Sequence, residues 1–195
     1  MLLLKTSEGD FYTSPEKALT EIDPDWRNYN GLIIVGSHSP DKEDAELKIQ
    51  KIKEARENKT PFLGICYGFQ LMVIEWVRNA ANLPMANSTE IDPNTPNPVI
   101  VKMNERHTGI RPVTWFDGSV SYETFWHNYA MNPYYLRYFP EELWDVSFGE
   151  HAIVMIKLRD RSFFVGVQFH PEYESSREKP HKLLREFIEV CKNSK

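Results

Sequence analysis

The sequence predicts an α/β protein: an open, mostly parallel β-sheet with helices on both faces, in three layers. Three observations lead to this expectation. Two short apolar runs, GLIIV and PFLGI, are separated by a charged segment with helical periodicity. A second helix-like segment directly follows PFLGI, and β-branched and aromatic runs recur toward the C-terminus. Residues 31–65 therefore read as a strand–helix–strand unit, whose crossover is expected to be right-handed.

Length and charge restrict the function. The chain has 195 residues, of which 41% are hydrophobic, and this predicts one domain, residues 1–195, with a sizeable core. A net charge of −5 gives no general positive field for a nucleic-acid backbone, so a small ligand is expected instead. No apolar stretch approaches the roughly 20 residues that span a bilayer, and the leading LLL is too short for a signal peptide. We expect no membrane association and a cytoplasmic location.

The N-terminal elements follow from local patterns. LLLK reads as an edge strand and SPEKALTEI as a short helix, although the first 30 residues are expected to be too short for the usual opening βαβ unit. GLIIV and PFLGI are continuous apolar runs, which is typical of strands buried on both faces. Between them, Asp41 is the expected N-cap of an amphipathic helix. The apolar face of that helix consists of Ala45, Ile49, Ile52 and Ala55.

The remaining elements alternate between apolar runs and turn residues. GFQLMVIEWVRNAA is apolar around most of a helical circumference, so it predicts a largely buried helix. The following Pro-, Asn- and Thr-rich segment predicts an ordered loop. Four further runs, VIVKM, DVSFG, AIVMIKL and SFFVGVQF, have strand character. A final helix is expected from about Pro180 to Lys192, with lysines near its C-terminus.

The two cysteines have different surroundings. Cys191 shares a helical face with apolar residues and is expected in the core. Cys66 lies between Gly64 and Gly68, where a strand turns abruptly into a helix. Such a corner is strained and exposes its side chain, and the helix N-terminus can stabilise an oxyanion. Cys66 is therefore a candidate nucleophile, with a small buried hydrophobe as the alternative.

A candidate base for this nucleophile stands at the end of FFVGVQFHPEY. On an extended backbone His170 and Glu172 point the same way, so the carboxylate can orient the imidazole. Read alone, His-Pro-Glu is more often a solvated turn. With Cys66 it completes a predicted triad of nucleophile, base and orienting carboxylate.

The other histidines lack the spacing of metal ligands. They are spread along the chain and are expected to be structural or at the surface, so neither a metal nor a cofactor is predicted. They are His38, His107, His127, His151 and His181.

Together, the corner GICYGFQ and the strand end VGVQFHPE resemble the class I glutamine amidotransferases. The resemblance implies a flavodoxin-like sheet and attack of the cysteine on the side-chain amide of glutamine through a γ-glutamyl thioester. From Gly31 to Lys192 the chain is most similar to the glutaminase domain of CTP synthase. By this likeness Gln70 and Glu90 hold the amino and amide groups of glutamine, and the backbone N–H of Tyr67 faces the oxyanion.

The chain also departs from the family pattern. In VGSHSP, Gly36 of the oxyanion strand is kept, but Ser37 and Ser39 replace glycines. WHNY stands where the family has Arg-His-Arg-Tyr, so Asn128 replaces the second arginine. The region between Val101 and Tyr122 is shorter than in the family, which predicts a reduced nucleotide-responsive lid.

Three functions follow as hypotheses. The first is glutamine hydrolysis by a free-standing glutaminase that supplies ammonia to a separate synthetase, because no GxxxxGK[ST] phosphate loop occurs in the sequence. The second is a free-standing hydrolase of another γ-glutamyl amide or conjugate. The third is a catalytically inactive binding or regulatory module, which the serine at position 37 suggests.

Overall fold

The computed structural model describes residues 1–4, 13–37 and 41–194. The strands are β1 (Leu2–Leu4), β2 (Leu32–Ile34), β3 (Phe62–Ile65), β4 (Ala86–Ser88), β5 (Asn97–Thr114), β6 (Val120–Met131), β7 (Trp144–Phe148), β8 (Ile153–Leu158) and β9 (Phe164–Val167). The α-helices are α1 (Thr13–Ile22), α2 (Lys42–Glu57), α3 (Tyr67–Asn79) and α4 (Lys182–Asn193). Within these described ranges, no helix combines the length and apolarity needed to cross a membrane.

The larger sheet confirms the predicted architecture. Its six strands are ordered β1-β2-β3-β9-β8-β7; the first four run parallel, and β8 runs antiparallel to its two neighbours, β9 and β7. Helices α2 and α3 pack on one face, and α1 and α4 pack on the other. The expectation about the first 30 residues was wrong, because β1 pairs in parallel with β2 across α1 and completes a βαβ unit.

The parallel strands are buried on both faces, as their continuous apolar runs predict. In β2, Leu32 and Ile34 join the core beneath α2 and α3. Ile33 faces the opposite core beneath α1 and α4, where Cys191 is also fully buried. Asp41 caps α2 by accepting a hydrogen bond from the backbone N–H of Asp44 at 3.3 Å, which confirms the predicted helix start.

A second sheet of three strands, β4-β5-β6, was not predicted. Strands β5 and β6 form a long antiparallel hairpin that is closed by a turn at Trp115–Ser119, with Gly118 at φ +81°. Between Lys102 and His107 the register shifts, so residues 103–106 bulge out opposite one residue of β6. The hairpin is joined to the strand end after β9, because the backbone N–H of His170 donates to the Thr124 carbonyl at 2.8 Å.

Two glycines bring α3 close to the sheet. A Cβ at Gly68 would lie 2.1 Å from the carbonyl oxygen of Ile34, and a Cβ at Gly64 would lie 2.6 Å from the Gly68 carbonyl oxygen. No other residue fits at these contacts without a backbone shift. The strand-to-helix corner is therefore fixed by backbone packing on both of its sides.

Helices α2 and α3 are joined by a buried ion pair. Glu75 is completely buried, and Arg56 donates to it from Nε at 3.0 Å and from Nη2 at 2.9 Å. The mostly apolar pattern of α3 gave no sign that one of its buried residues carries a charge. Such a bidentate pair offsets the cost of burying the carboxylate only while both partners are present.

We expect Arg56→Met to lower the free energy of unfolding by about 3–5 kcal/mol, because it leaves the Glu75 carboxylate buried without a cation. The double variant Arg56→Met/Glu75→Leu should recover most of that loss. Urea titration followed by circular dichroism measures both. Arg159→Met, which breaks the exposed Arg159–Asp145 pair, is the control and should cost less than about 1 kcal/mol. A loss of similar size in the control would contradict the assignment.

Candidate active site

Cys66 occupies the corner between β3 and α3 in a left-handed conformation. Its φ is +53° and its ψ is −101°, a backbone state that costs a non-glycine residue about 1–3 kcal/mol. A hydrogen bond of 2.8 Å from its N–H to the Val167 carbonyl ties the corner to β9. The corner was predicted from the glycines, but the side chain is only 6% exposed, because the β5–β6 hairpin covers it.

The thiol of Cys66 is in contact with both sheets. Its Sγ lies 3.8 Å from the Trp126 carbonyl oxygen of β6, to which it can donate. The side-chain amide of Gln168, which follows β9, donates to the same sulfur at 3.7 Å. The sulfur therefore lies where the hairpin meets the main sheet.

His170 and Glu172 form a buried pair beside this thiol. The imidazole Nδ1 lies 2.8 Å from Glu172 Oε1, and both side chains are buried. Strand β9 ends at Val167, and residues 171–174 form a turn. The turn, rather than the extended backbone expected from the sequence, brings the carboxylate back to the ring.

The charge of His170 depends on its neighbours. Burial alone lowers its pKa, but Cys66 and Glu172, through charge and hydrogen bonding, raise the pKa of His170 to about 10. Because this folded-state pKa exceeds the ordinary 6.5, protonation of the ring stabilises the fold. That contribution is complete below about pH 6.5 and is lost as the pH rises through about 10. At neutral pH the site therefore holds an imidazolium.

Gly36, at the end of β2, leaves room beside this pair. A Cβ at Gly36 would lie 3.2 Å from His170 Cε1 and 3.6 Å from Cys66 Cβ, so a side chain there would press against the His170 ring. Ser37 does not adopt a positive φ, so the serine at this position introduces no backbone strain. Ser39 lies outside the described residues.

A narrow cavity of about 60 Å³ opens beside Cys66. It gathers five of the six predicted binding residues, while Gly36 lies next to Cys66 and His170. Tyr67, in the first turn of α3, has a backbone N–H without an intrahelical acceptor. The lining residues are Ser37, Cys66, Tyr67, Gln70, Glu90, Arg106, Trp126, His127, Asn128 and Tyr129.

Gln70 and Glu90 are placed to accept hydrogen bonds in this cavity. The Nε2 of Gln70 donates to the Tyr129 carbonyl at 2.9 Å, which leaves its Oε1 as the acceptor on the cavity side. Burial without a compensating cation raises the pKa of Glu90 to about 7. A carboxylate in such a position favours a cationic group of a ligand.

Because the pKa of Glu90 is near 7, we expect kcat/KM for an amino-acid substrate to fall about tenfold per pH unit below pH 7. Protonation removes the negative charge that would bind the substrate ammonium group. Glu90→Gln should have a lower kcat/KM above pH 7 and lack this acid limb. Steady-state rates from pH 5.5 to 8.5 test this, and an unchanged acid limb in Glu90→Gln would contradict it.

The same shift predicts the sign of the stability change. The folded-state pKa of Glu90 lies above its ordinary 4.5, so ionisation of this carboxyl opposes folding. The contribution of Glu90 to the free energy of unfolding therefore falls as the pH rises from about 4.5 through 7. Glu90→Gln should therefore be more stable than the wild type at pH 8. We expect about 1–2 kcal/mol, allowing for solvent screening, from urea titrations at pH 8.

Five residues at this site, Gln168, Arg106, Trp126, His127 and Tyr129, were not among the site residues predicted from the sequence. Gln168 contacts the sulfur of Cys66, and its two-residue spacing from His170 was a usable signal. Trp126, His127 and Tyr129 belong to the WHNY segment, whose match to the family's Arg-His-Arg-Tyr was a usable signal, whereas the sequence offered none for Arg106.

His127 is a buried structural residue of the cavity wall. Its Nδ1–H donates to the Tyr129 carbonyl at 2.9 Å, and its Nε2 accepts from Nδ1 of His107 at 3.1 Å. Burial lowers the pKa of His127 to about 4, so the ring stays neutral. Across the described segments, no group of three or more side chains could hold a metal ion.

Comparisons of the sequence and the fold relate the chain to known proteins. The family model described as glutamine amidotransferase class-I matches residues 9–190. The CTP synthase of Thermotoga maritima is 40% identical over 190 residues, covering 83% of this chain and 36% of the relative. The CTP synthase of Caldanaerobacter subterraneus subsp. tengcongensis is 35% identical over 214 residues, covering 98% of this chain and 40% of the relative. This chain thus spans little more than a third of these relatives' length.

A solved structure has the same fold. The glutaminase domain of Trypanosoma brucei CTPS with bound acivicin superposes with a TM-score of 0.85 at 19% sequence identity. The superposition covers 99% of this chain and 93% of that one. The open sheet with helices on both faces is therefore the fold of that glutaminase domain.

Proposed function

We propose that the chain, which belongs to the class I glutamine amidotransferase family, hydrolyses the side-chain amide of glutamine through a thioester on Cys66. One observation carries the proposal: the cysteine at the strained corner adjoins the buried His170–Glu172 pair and borders a narrow cavity. The nucleophile thus borders the cavity, and the acid–base group and its orienting carboxylate lie beside the nucleophile.

The proposed reaction has two steps. Cys66 first gives its thiol proton to His170. The sulfur then attacks the amide carbon of glutamine, and the backbone N–H groups of Tyr67 and Gly36 stabilise the negative oxygen. The C–N bond breaks as the His170 imidazolium donates its proton to the leaving nitrogen, which releases ammonia and a γ-glutamyl thioester. The neutral imidazole then takes a proton from water, and the resulting hydroxide displaces the sulfur to give glutamate. Glu172 keeps the ring oriented throughout.

The size and charge of the cavity support glutamine over larger γ-glutamyl conjugates. A space of about 60 Å³ suits the amide end of a small substrate. Oε1 of Gln70 and the carboxylate of Glu90 are suitable acceptors for the α-amino group. The φ angle of Ser37 is not positive, so the replacement of a glycine by serine at this position gives no argument for a catalytically inactive module.

The ammonia acceptor is proposed from the relatives. The matched relatives are named CTP synthase, and this chain corresponds to a part of each of them that resembles a glutaminase domain. We therefore infer that the released ammonia passes to a synthetase domain or subunit. A glutaminase of this kind is expected to turn over slowly until that partner is present.

Glutamate release from glutamine by the purified chain tests the proposal. A panel of γ-glutamyl amides, including γ-glutamylmethylamide and γ-glutamyl dipeptides, is assayed in parallel. We expect glutamine to be cleaved with the highest kcat/KM. Preference for a conjugate would replace the glutaminase with a conjugate hydrolase. Absence of turnover together with absence of labelling by 6-diazo-5-oxo-L-norleucine would support the inactive module.

A further inference from the structure

We propose that Arg106 binds the α-carboxylate of the substrate and thereby selects a free amino acid. The inference rests on the proposed hydrolysis of glutamine and adds a specificity determinant to the same site. Arg106 belongs to β5, outside every segment that the sequence motifs singled out. Arg106 lines the Cys66 cavity because the β5–β6 hairpin places it there.

Arg106 is the one arginine or lysine among the described residues that line the Cys66 cavity. Its guanidinium carbon lies 4.4 Å from the centre of the Trp126 ring, so the aromatic face positions the group without neutralising it. Across the described residues it forms no ion pair with a carboxylate, in contrast to Arg111 on the same strand, which pairs with Glu150 at 3.4 Å. A positioned guanidinium with its donors available fits a carboxylate ligand.

The charges in the cavity match an amino-acid head group. Glu90 contributes a carboxylate that burial leaves without a cation, and Arg106 contributes a guanidinium. The α-amino and α-carboxylate groups of glutamine carry the opposite charges on one carbon atom. A cavity with one carboxylate and one guanidinium favours a free α-amino acid over a residue whose α-carboxylate is an amide or is linked in a peptide.

The bulge in β5 explains how Arg106 reaches the cavity. Lys102 pairs with Tyr129 and His107 pairs with His127, so residues 103–106 lie opposite Asn128 alone. His107 fixes the end of this bulge, because its ring stacks on Phe125 at 4.7 Å and its Nδ1 bonds to His127 at 3.1 Å. The residue before it, Arg106, is thereby directed over β6.

The neighbouring strand supports the same assignment. Trp126 and Asn128 of β6 occupy the two positions where the family resemblance expects arginines. In this chain neither position carries a cation, and Arg106 brings a guanidinium to Trp126 from β5 instead. Arg106 also borders a larger cavity of about 520 Å³, so the experiment must separate the two locations.

Binding measurements in a Cys66→Ala background separate this inference from the hydrolysis itself. Dissociation constants are measured by calorimetry for L-glutamine and for L-glutamine α-amide, in which a neutral carboxamide replaces the α-carboxylate. We expect Arg106→Gln to weaken glutamine binding about ten- to hundredfold and to change α-amide binding less than about threefold. Arg106→Lys should recover part of the loss. Lys102→Gln, an exposed lysine on the same strand, is the matched control.

The active chain supplies a second readout. With Cys66 intact, Arg106→Gln should raise KM for glutamine by a similar factor and leave kcat within about threefold. Equal effects of Arg106→Gln and Lys102→Gln, equal losses for glutamine and its α-amide, or no binding of glutamine to the parent chain would each overturn the inference. If glutamine binds through Arg106 but is never hydrolysed, the proposed function fails while the carboxylate site stands.

Discussion

Cys66→Ser is expected to lower the rate of glutamine hydrolysis by about 10⁴-fold or more. The corner retains a non-glycine residue at φ +53°, so the backbone strain is unchanged and the fold should persist. The hydroxyl of serine remains protonated beside His170, whereas the sulfur of cysteine is the far better nucleophile at neutral pH. The substitution therefore removes the chemistry and leaves the cavity intact.

The matched control is Cys191→Ser, which changes the second cysteine. Cys191 is fully buried in the core formed by α1 and α4, and it does not line the cavity. Cys191→Ser should therefore lower the stability of the protein and leave the activity per folded molecule unchanged. Activity is measured as glutamate release, and nucleophile identity by mass spectrometry after treatment with 6-diazo-5-oxo-L-norleucine. Hydrolysis by Cys66→Ser at a rate near that of the parent would contradict the proposed thioester.

His170→Asn is expected to lower kcat by about 10²–10⁴-fold. Asparagine keeps a polar side chain at the position but can neither donate a proton to the leaving nitrogen nor accept one from water. Glu172→Gln should have a smaller effect in the same direction. It preserves the shape of the buried group and removes the negative charge that helps to raise the pKa of His170.

Alkylation of the thiol by iodoacetamide distinguishes this role from a structural one. In the parent chain the pKa of His170 is about 10, so the imidazolium beside the sulfur persists from pH 6 to 9, and the alkylation rate at neutral pH should exceed that of His170→Asn. In His170→Asn the rate should rise about tenfold per pH unit up to about pH 8.5, as for an ordinary thiol. Equal rates at neutral pH in the two proteins would show that His170 does not act on the thiol.

The parallel strands of the larger sheet could be predicted because they are short and buried on both faces. Continuous apolar runs at β2, β3 and β9 carry that information locally, and the charged face of α2 identifies the helix between two of them. The edge strand β1 and helix α1 were also anticipated. Their assembly into a parallel unit was not, because a complete βαβ unit was expected to need more than the first 30 residues.

The β5–β6 hairpin escaped prediction for a physical reason. Its outer positions include exposed apolar side chains such as Ile110 and Tyr122 together with charged ones, so no clean alternation is present. The Asp117–Gly118 pair between the strands was an overlooked turn signal. The bulge at residues 103–106 depends on how His107 packs across the hairpin, which no local pattern encodes.

In the candidate site, too, some residues could be predicted from local motifs and others could not. Cys66, His170 and Glu172 stand in motifs at the ends of parallel strands, so they could be identified together. The burial of the thiol, the contact with Gln168 and the position of Arg106 arise from the docking of the hairpin onto the main sheet. Contacts of this kind depend on register and tertiary packing.

The β5–β6 hairpin also limits the oxidation of Cys66. Thiol oxidation requires access to solvent, and Cys66 is only 6% exposed, with the Trp126 carbonyl directly beside its sulfur. Peroxide must therefore approach the sulfur through the same narrow cavity as the substrate, and local opening of the β5–β6 strands adds a second route whose free energy affects the rate of damage. Substitutions that loosen the hairpin shorten the working life of the enzyme under oxidising conditions, even where they leave its initial rate unchanged.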